Sequence, residues 1–214
     1  MTDLVIFDCD GVLVDTEPTT DRILSANLGR HGLHIDPAEV HALFAGGTMQ
    51  SVGVEATRRG AALPHDWLDG IYAEVLTALR EGVEVIPGVI DLIDRLEAAG
   101  IAIAIASNGS LDKMQVSLAP SGLLDRFAGR IYSGHDFPPK PGPAMLHHAM
   151  EMAGTDAAST VFIDDMPAGW KAAAAADVRC YAYLGDGDPA RAKGYSAKPI
   201  TDMAQVARDL GLAH

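Results

Sequence analysis

Five short apolar runs, at 4–7, 101–106, 129–132, 161–163 and 180–183, show almost no alternation of apolar with polar residues. A strand with one wet face alternates; a strand covered on both faces does not. Such runs are expected of a parallel sheet lying between two helix layers. Segments 89–99, 110–118, 143–153 and 168–176 have helix-forming content, and Pro87-Gly88, Gly100 and Gly154 punctuate their ends. The alternation predicts an α/β fold, a doubly wound and mostly parallel sheet joined by right-handed crossovers.

One stretch departs from this pattern. Residues 17–84 contain no convincing strand, but Ile23, Leu24 and Leu28, then Val40, Leu43 and Phe44, then Trp67, Ile71, Val75 and Leu79 recur at helical spacing. Gly32, Gly46-Gly47, Gly60 and Pro64 divide the stretch into about four helices. The chain is therefore expected to hold a core domain, 1–16 with 84–214, and an inserted helical cap, 17–83.

Composition narrows the function. A chain of 214 residues, 48% hydrophobic and 21% charged, has room for one α/β domain plus an insertion, and its balance is that of a globular protein. A formal charge of -13 repels nucleic acid and anionic lipid surfaces, so neither is an expected partner. Cys9 and Cys180 are too few for a disulfide framework or a thiolate zinc site. No apolar run approaches the ~18 residues of a membrane span, and the opening residues, with Asp3, Asp8 and Asp10, do not resemble an export leader. A cytoplasmic protein is expected. A monomer is expected too, a weak dimer being the alternative.

Ligands of open parallel sheets bind beyond the carboxyl ends of the strands. Four of the predicted strands run into polar clusters there: Asp8-Cys9-Asp10-Gly11, Ser107-Asn108-Gly109, Ser133-Gly134-His135-Asp136 and Asp164-Asp165. Asp8, Asp10, Asp164 and Asp165 are expected to crowd together, and two like charges ~4 Å apart repel by about 4 kcal/mol at an effective dielectric near 20. Either a hard cation or a lysine must offset them. No cysteine or histidine is placed as a companion ligand, which favours Mg²⁺ over zinc. A carboxylate beside such an ion is a plausible nucleophile toward phosphorus. Residues two apart on an extended segment point the same way, so Asp8 is positioned to attack and Asp10 to serve the leaving group as general acid.

Phe7-Asp8-Cys9-Asp10-Gly11-Val12-Leu13-Val14-Asp15-Thr16-Glu17 resembles the first motif of the haloacid dehalogenase superfamily, in its phosphatase branch with a small helical cap. Ser107-Asn108-Gly109 resembles the second motif, Lys140-Pro141-Gly142-Pro143 the third, and Ile163-Asp164-Asp165 with Gly169, Ala172 and Ala173 the fourth. The resemblance spans essentially the whole chain. It implies that Asp8 forms an aspartyl-phosphate and ligates the metal, and that Asp10 acts as acid and then base while lending its backbone carbonyl to Mg²⁺. It implies that Ser107 and the amide of Asn108 hold the phosphoryl group and that Lys140 neutralises it. Asp165 is then a direct metal ligand, and Asp164 a ligand directly or through water. Gly109, Thr16 and the cap-loop residues Gly46, Gly47 and Thr48 are the remaining expected substrate contacts.

Ala144, Met166 and Asp177 depart from the residues usual at these places, aspartate, serine and glycine. His147 and His148 read as a solvated helix face; Met114, Met145, Met150 and Met152 as core filling; Trp67 and Trp170 as packing anchors; and Cys9 as a small hydrophobe. His135 and Asp136 lie at the predicted active edge. Ser107 to Gln115 and Tyr132 to Asp136 resemble their counterparts in sugar-phosphate and 6-phosphogluconate-type phosphatases. The implied partner is a small phosphorylated metabolite, a sugar phosphate or sugar-acid phosphate. A β-phosphoglucomutase-type transfer is the alternative, but that branch uses a cap histidine and a cap-loop arginine where this chain has Thr19-Thr20 and Met49. A non-catalytic phosphometabolite sensor is the third reading, disfavoured because both Asp8 and Asp10 are retained.

Overall fold

A computed structural model of the chain describes residues 1–44 and 48–212. In chain order the elements are β1 (Leu4–Phe7), β2 (Val14–Asp15), α1 (Glu17–Arg30), α2 (Pro37–Phe44), α3 (Met49–Arg58), α4 (Trp67–Glu81), β3 (Glu84–Val85), α5 (Val89–Ala98), β4 (Ala102–Ser107), α6 (Leu111–Leu118), α7 (Leu123–Arg126), β5 (Ile131–Ser133), α8 (Ala144–Ala153), β6 (Thr160–Asp164), α9 (Pro167–Ala175), β7 (Arg179–Tyr183), β8 (Ala197–Ile200) and α10 (Met203–Asp209). The chain divides into two compact units, 1–15 with 84–214, and 16–83.

In the first unit six strands form one parallel sheet in the order β5-β4-β1-β6-β7-β8. The fully buried β1 lies inside it, as its unbroken apolar sequence requires. Leu4 and Ile6 of β1 join Ala104, Ala106 and Phe162 in a cluster with Met145, Leu146 and Ala149 of α8 and Trp170, Ala172 and Ala173 of α9. The small side chains of α9 let that helix lie close to the sheet. Phe7 points to the opposite face and meets Phe127 edge-on, ring centroids 5.9 Å apart. The order of the strands reverses between β1 and β6, which makes their carboxyl ends the place where a crevice opens.

The sequence misjudges this sheet in two places. β8, Ala-Lys-Pro-Ile, lies at the sheet edge, where Pro199 and the exposed Lys198 are tolerated, and its composition hides it. The run expected at 129–132 starts late, at Ile131, because Gly129 turns the chain at φ +74°. A two-residue antiparallel ribbon, β2 with β3, was also beyond the reach of periodicity.

The second unit comprises α1 to α4 around Leu24, Leu28, Val52, Ile71, Val75 and Leu79, all buried. Trp67 is buried there and donates its indole N–H to Asn27 Oδ1 at 2.7 Å, while Arg30 and Asn27 both reach Glu74. Among the described residues no helix is long and apolar enough to cross a membrane.

Candidate active site

Strand register brings the site together. β1 pairs with β6 so that Phe7 faces Ile163, and the next residues along the two strands are Asp8 and Asp164. On the other side of β1, Phe7 faces Ile105 of β4, two residues before Ser107, which in turn pairs with Ser133. The four clusters expected at one edge of the sheet are thus held there by backbone pairing.

Carboxylate oxygens of Asp8, Asp164 and Asp165 lie within 4.8 Å of one another. Asp10 is not part of this group: its Oδ2 accepts from Lys113 Nζ at 2.7 Å. The expected crowding of four carboxylates is therefore corrected to three, the fourth being drawn off by a lysine. Lys140, almost completely buried, sits among the three, 3.0 Å from Asp8 Oδ1 and 2.6 Å from Asp164 Oδ2. Burial alone would lower its pKa, but Asp8 and Asp164 outweigh that and raise it, so the ammonium keeps its charge.

Backbone geometry reserves space for these groups. Gly11 has φ +76°, and a Cβ there would fall 2.6 Å from Asp165 Oδ2. Asp8 Oδ1 accepts from the Cys9 amide at 2.7 Å as well as from Lys140, and no protein donor to Oδ2 is found among the described residues. Asp164 is fixed through three atoms: Oδ2 by Lys140, Oδ1 by the Met166 amide at 2.8 Å, and its carbonyl by the Trp170 indole at 2.8 Å. Because Met166 acts through its amide, the departure from serine leaves this contact intact. Asp165 Oδ1 is buried and has no hydrogen-bond partner among the described residues. Burial, with the charges of Asp8 and Asp164, pushes the Asp165 carboxyl up to about 8, and burial raises Asp164 as well. An orphaned buried oxygen in an all-oxygen donor set fits a hard divalent cation.

Ser107 is buried at the end of β4, and its Oγ accepts from the Gly109 amide at 3.2 Å. The Asn108 side chain does something the motif alone does not reveal. Its Nδ2 donates to the Lys140 carbonyl at 3.0 Å and its Oδ1 accepts from the Lys140 amide at 2.8 Å, a two-bond clamp that sets the root of the lysine. Ser133 Oγ donates to the Gly109 carbonyl at 2.7 Å and accepts from the His135 amide, tying the loop after β5 to the loop after β4. His135 and Asp136 themselves are exposed.

Thr16 and Thr48 belong to the helical unit. Thr16 is buried and precedes α1 as its N-cap residue; Thr48 caps α3, its Oγ1 accepting from the Ser51 amide at 3.1 Å. Gly46 and Gly47 lie outside the described residues.

Met152 is exposed and fills no core gap, and His148 is not simply solvated but packs on Phe137 and Tyr132, centroids 4.7 and 5.0 Å away. Cys9 is fully buried, and burial first, then Asp10 and Asp8, raises its pKa well above the usual thiol range, which keeps it inert. Asp177 takes φ +56° just after α9, the left-handed geometry that explains why glycine is usual there.

A sheet of this topology, with this carboxylate and lysine cluster at the carboxyl ends of β1 and β6, defines a class of hydrolase. Residues 2–177 match the haloacid dehalogenase-like hydrolase family, and the chain belongs to it. It is 29% identical to the 6-phosphogluconate phosphatase of Escherichia coli strain K12, over 85% of this chain and 82% of that one. It is 31% identical to the phosphoglycolate phosphatase of Pseudomonas fluorescens, over 83% of this chain and 67% of that one. The crystal structure of a haloacid dehalogenase family hydrolase from Deinococcus radiodurans, with bound phosphate and sodium, superposes with a TM-score of 0.82 at 28% identity, covering 98% of this chain and 95% of that one.

Proposed function

We propose that this family phosphatase hydrolyses a small phosphorylated metabolite, a sugar phosphate or sugar-acid phosphate, through an aspartyl-phosphate on Asp8 with Mg²⁺ as cofactor. The observation that carries this reading is Lys140 held between Asp8 and Asp164 beside the unpartnered Asp165 Oδ1. That arrangement joins a nucleophile, a fixed cation and an open metal position within one cluster. The relatives named as phosphatases of 6-phosphogluconate and phosphoglycolate support the substrate class.

In the first step an Asp8 carboxylate oxygen bonds to phosphorus. The ester P–O bond breaks, and its electron pair leaves with the ester oxygen, which takes a proton from the Asp10 carboxyl. In the second step water attacks phosphorus and gives a proton to Asp10, the bond from phosphorus to Asp8 breaks, and inorganic phosphate departs. Lys140 and the Ser107 hydroxyl steady the charge on the phosphoryl oxygens, and the Asn108 clamp keeps the lysine in place. Asp8 and Asp165 through carboxylate oxygens, Asp164 directly or through water, and Asp10 through its carbonyl would hold Mg²⁺, which when bound supplies positive charge that offsets repulsion between phosphate and nucleophile.

Hydrolysis is favoured over bisphosphate transfer because Thr19, Thr20 and Met49 stand where a mutase uses a histidine and an arginine. Incubation with p-nitrophenyl phosphate and Mg²⁺, with and without chelator, tests the reading: metal-dependent release of phosphate is expected, and none at any pH would contradict it. Supplied with β-glucose 1-phosphate and a trace of the 1,6-bisphosphate, the protein should release free phosphate; glucose 6-phosphate as the main product would contradict hydrolysis.

A further inference from the structure

Two lysines reach the site, and they divide it. Lys140 is 4% exposed and lies against the nucleophile, Asp8. Lys113 is 30% exposed and lies against Asp10, the residue that serves the leaving group in the reading above. Lys113 stands in the first turn of α6, where Ser110 Oγ accepts its backbone amide at 3.3 Å and fixes where the side chain starts. An ammonium has three N–H donors, and among the described residues Asp10 is the only hydrogen-bond acceptor found for this one. The 2.7 Å ion pair with Asp10 places a lysine ammonium, cationic at neutral pH, at this point of the site.

We infer that Lys113 is a specificity-determining residue that recognises a carboxylate on the leaving group of the substrate. The inference rests on the assignment of Asp10 to the leaving-group side. The atoms beyond the ester oxygen must then pass the Lys113 head group. A partly open ammonium with donors to spare favours an anionic leaving group over a neutral polyol, since a carboxylate adds charge–charge attraction to the hydrogen bond that a hydroxyl can also accept. Lys140 cannot take this role, being enclosed by Asp8 and Asp164.

Matched substrate pairs test the inference. 6-Phosphogluconate and sorbitol 6-phosphate differ only in a terminal carboxylate against a hydroxymethyl group, and phosphoglycolate differs from 2-hydroxyethyl phosphate in the same way. In at least one pair, kcat/KM should favour the carboxylate member by about tenfold or more, the worth of one charge-assisted contact. Lys113→Met and Lys113→Gln should collapse that ratio toward one, and Lys113→Arg should keep most of it, in variants whose thermal unfolding matches the parent. Equal kcat/KM within both pairs for the parent enzyme overturns the inference, as does an equal loss on both members in the variants. Hydrolysis of p-nitrophenyl phosphate separates the two levels: turnover without carboxylate preference removes the Lys113 assignment alone, whereas no turnover of any ester removes the phosphatase reading and this inference with it.

Discussion

Gly169 and Asp164 claim nearly the same space: a Cβ on Gly169 would lie 1.9 Å from Asp164 Oδ2, the oxygen that accepts from Lys140 at 2.6 Å. Gly169→Ala must therefore displace the carboxylate or distort the first turns of α9. Either change strips a buried ammonium of one of its two counter-charges, and breaking a buried pair costs about 3–5 kcal/mol. The variant should lose about a hundredfold in kcat/KM on p-nitrophenyl phosphate and melt at a lower temperature. Parent-like kinetics with parent-like melting would show that this close approach has no consequence.

Asn108→Ala tests the clamp on Lys140. Two hydrogen bonds disappear at a partly exposed position, with a stability cost of about 1 kcal/mol. Activity should fall more than stability suggests, by about tenfold, because the lysine's root is no longer fixed. A loss confined to stability, with kcat/KM retained, would remove Asn108 from the account.

Metal and pH should be linked with a definite sign. Asp165 is raised to about 8 and Asp164 is raised too, both chiefly by burial. A carboxyl whose folded pKa exceeds its unfolded value binds more protons folded than unfolded. Stability from these two groups is thus present at low pH and is lost as pH rises from about 4 toward 8. A divalent cation takes over the role of the proton and restores it. Calorimetry with chelator should show Tm declining between pH 5.5 and 8.5, and added Mg²⁺ should raise Tm more at the upper pH than at the lower. Equal Mg²⁺-induced shifts at both would contradict the assignment of these carboxylates.

Much of this architecture was legible in the residues. Unalternating runs such as Leu4–Phe7 marked the buried strands, and register then did the rest, since parallel pairing of β1 with β6 puts Asp8 beside Asp164 whatever the helices do. Three features were hidden for physical reasons. The edge strand β8 carries a proline and a lysine that only an edge tolerates. Lys113 is 103 residues from Asp10 in the chain, and no local pattern reports a charge pair across that distance. Its one signal was its place in the first turn after the Ser107-Asn108-Gly109 loop. The carboxyl group of Asp10 was expected in the acidic cluster because alternation gives a side chain's direction, but not the partner that claims it.

Asp8 is expected to carry the phosphoryl group during turnover. Borohydride added to the enzyme during steady-state hydrolysis reduces an acyl phosphate, which converts that aspartate to homoserine, and mass spectrometry of the N-terminal peptide locates it. Homoserine is expected at position 8 only when substrate and Mg²⁺ are both present, and none in Asp8→Asn, which should be folded and inactive. Homoserine at another position, or an Asp8→Asn enzyme that releases phosphate at near-normal rate, would contradict this.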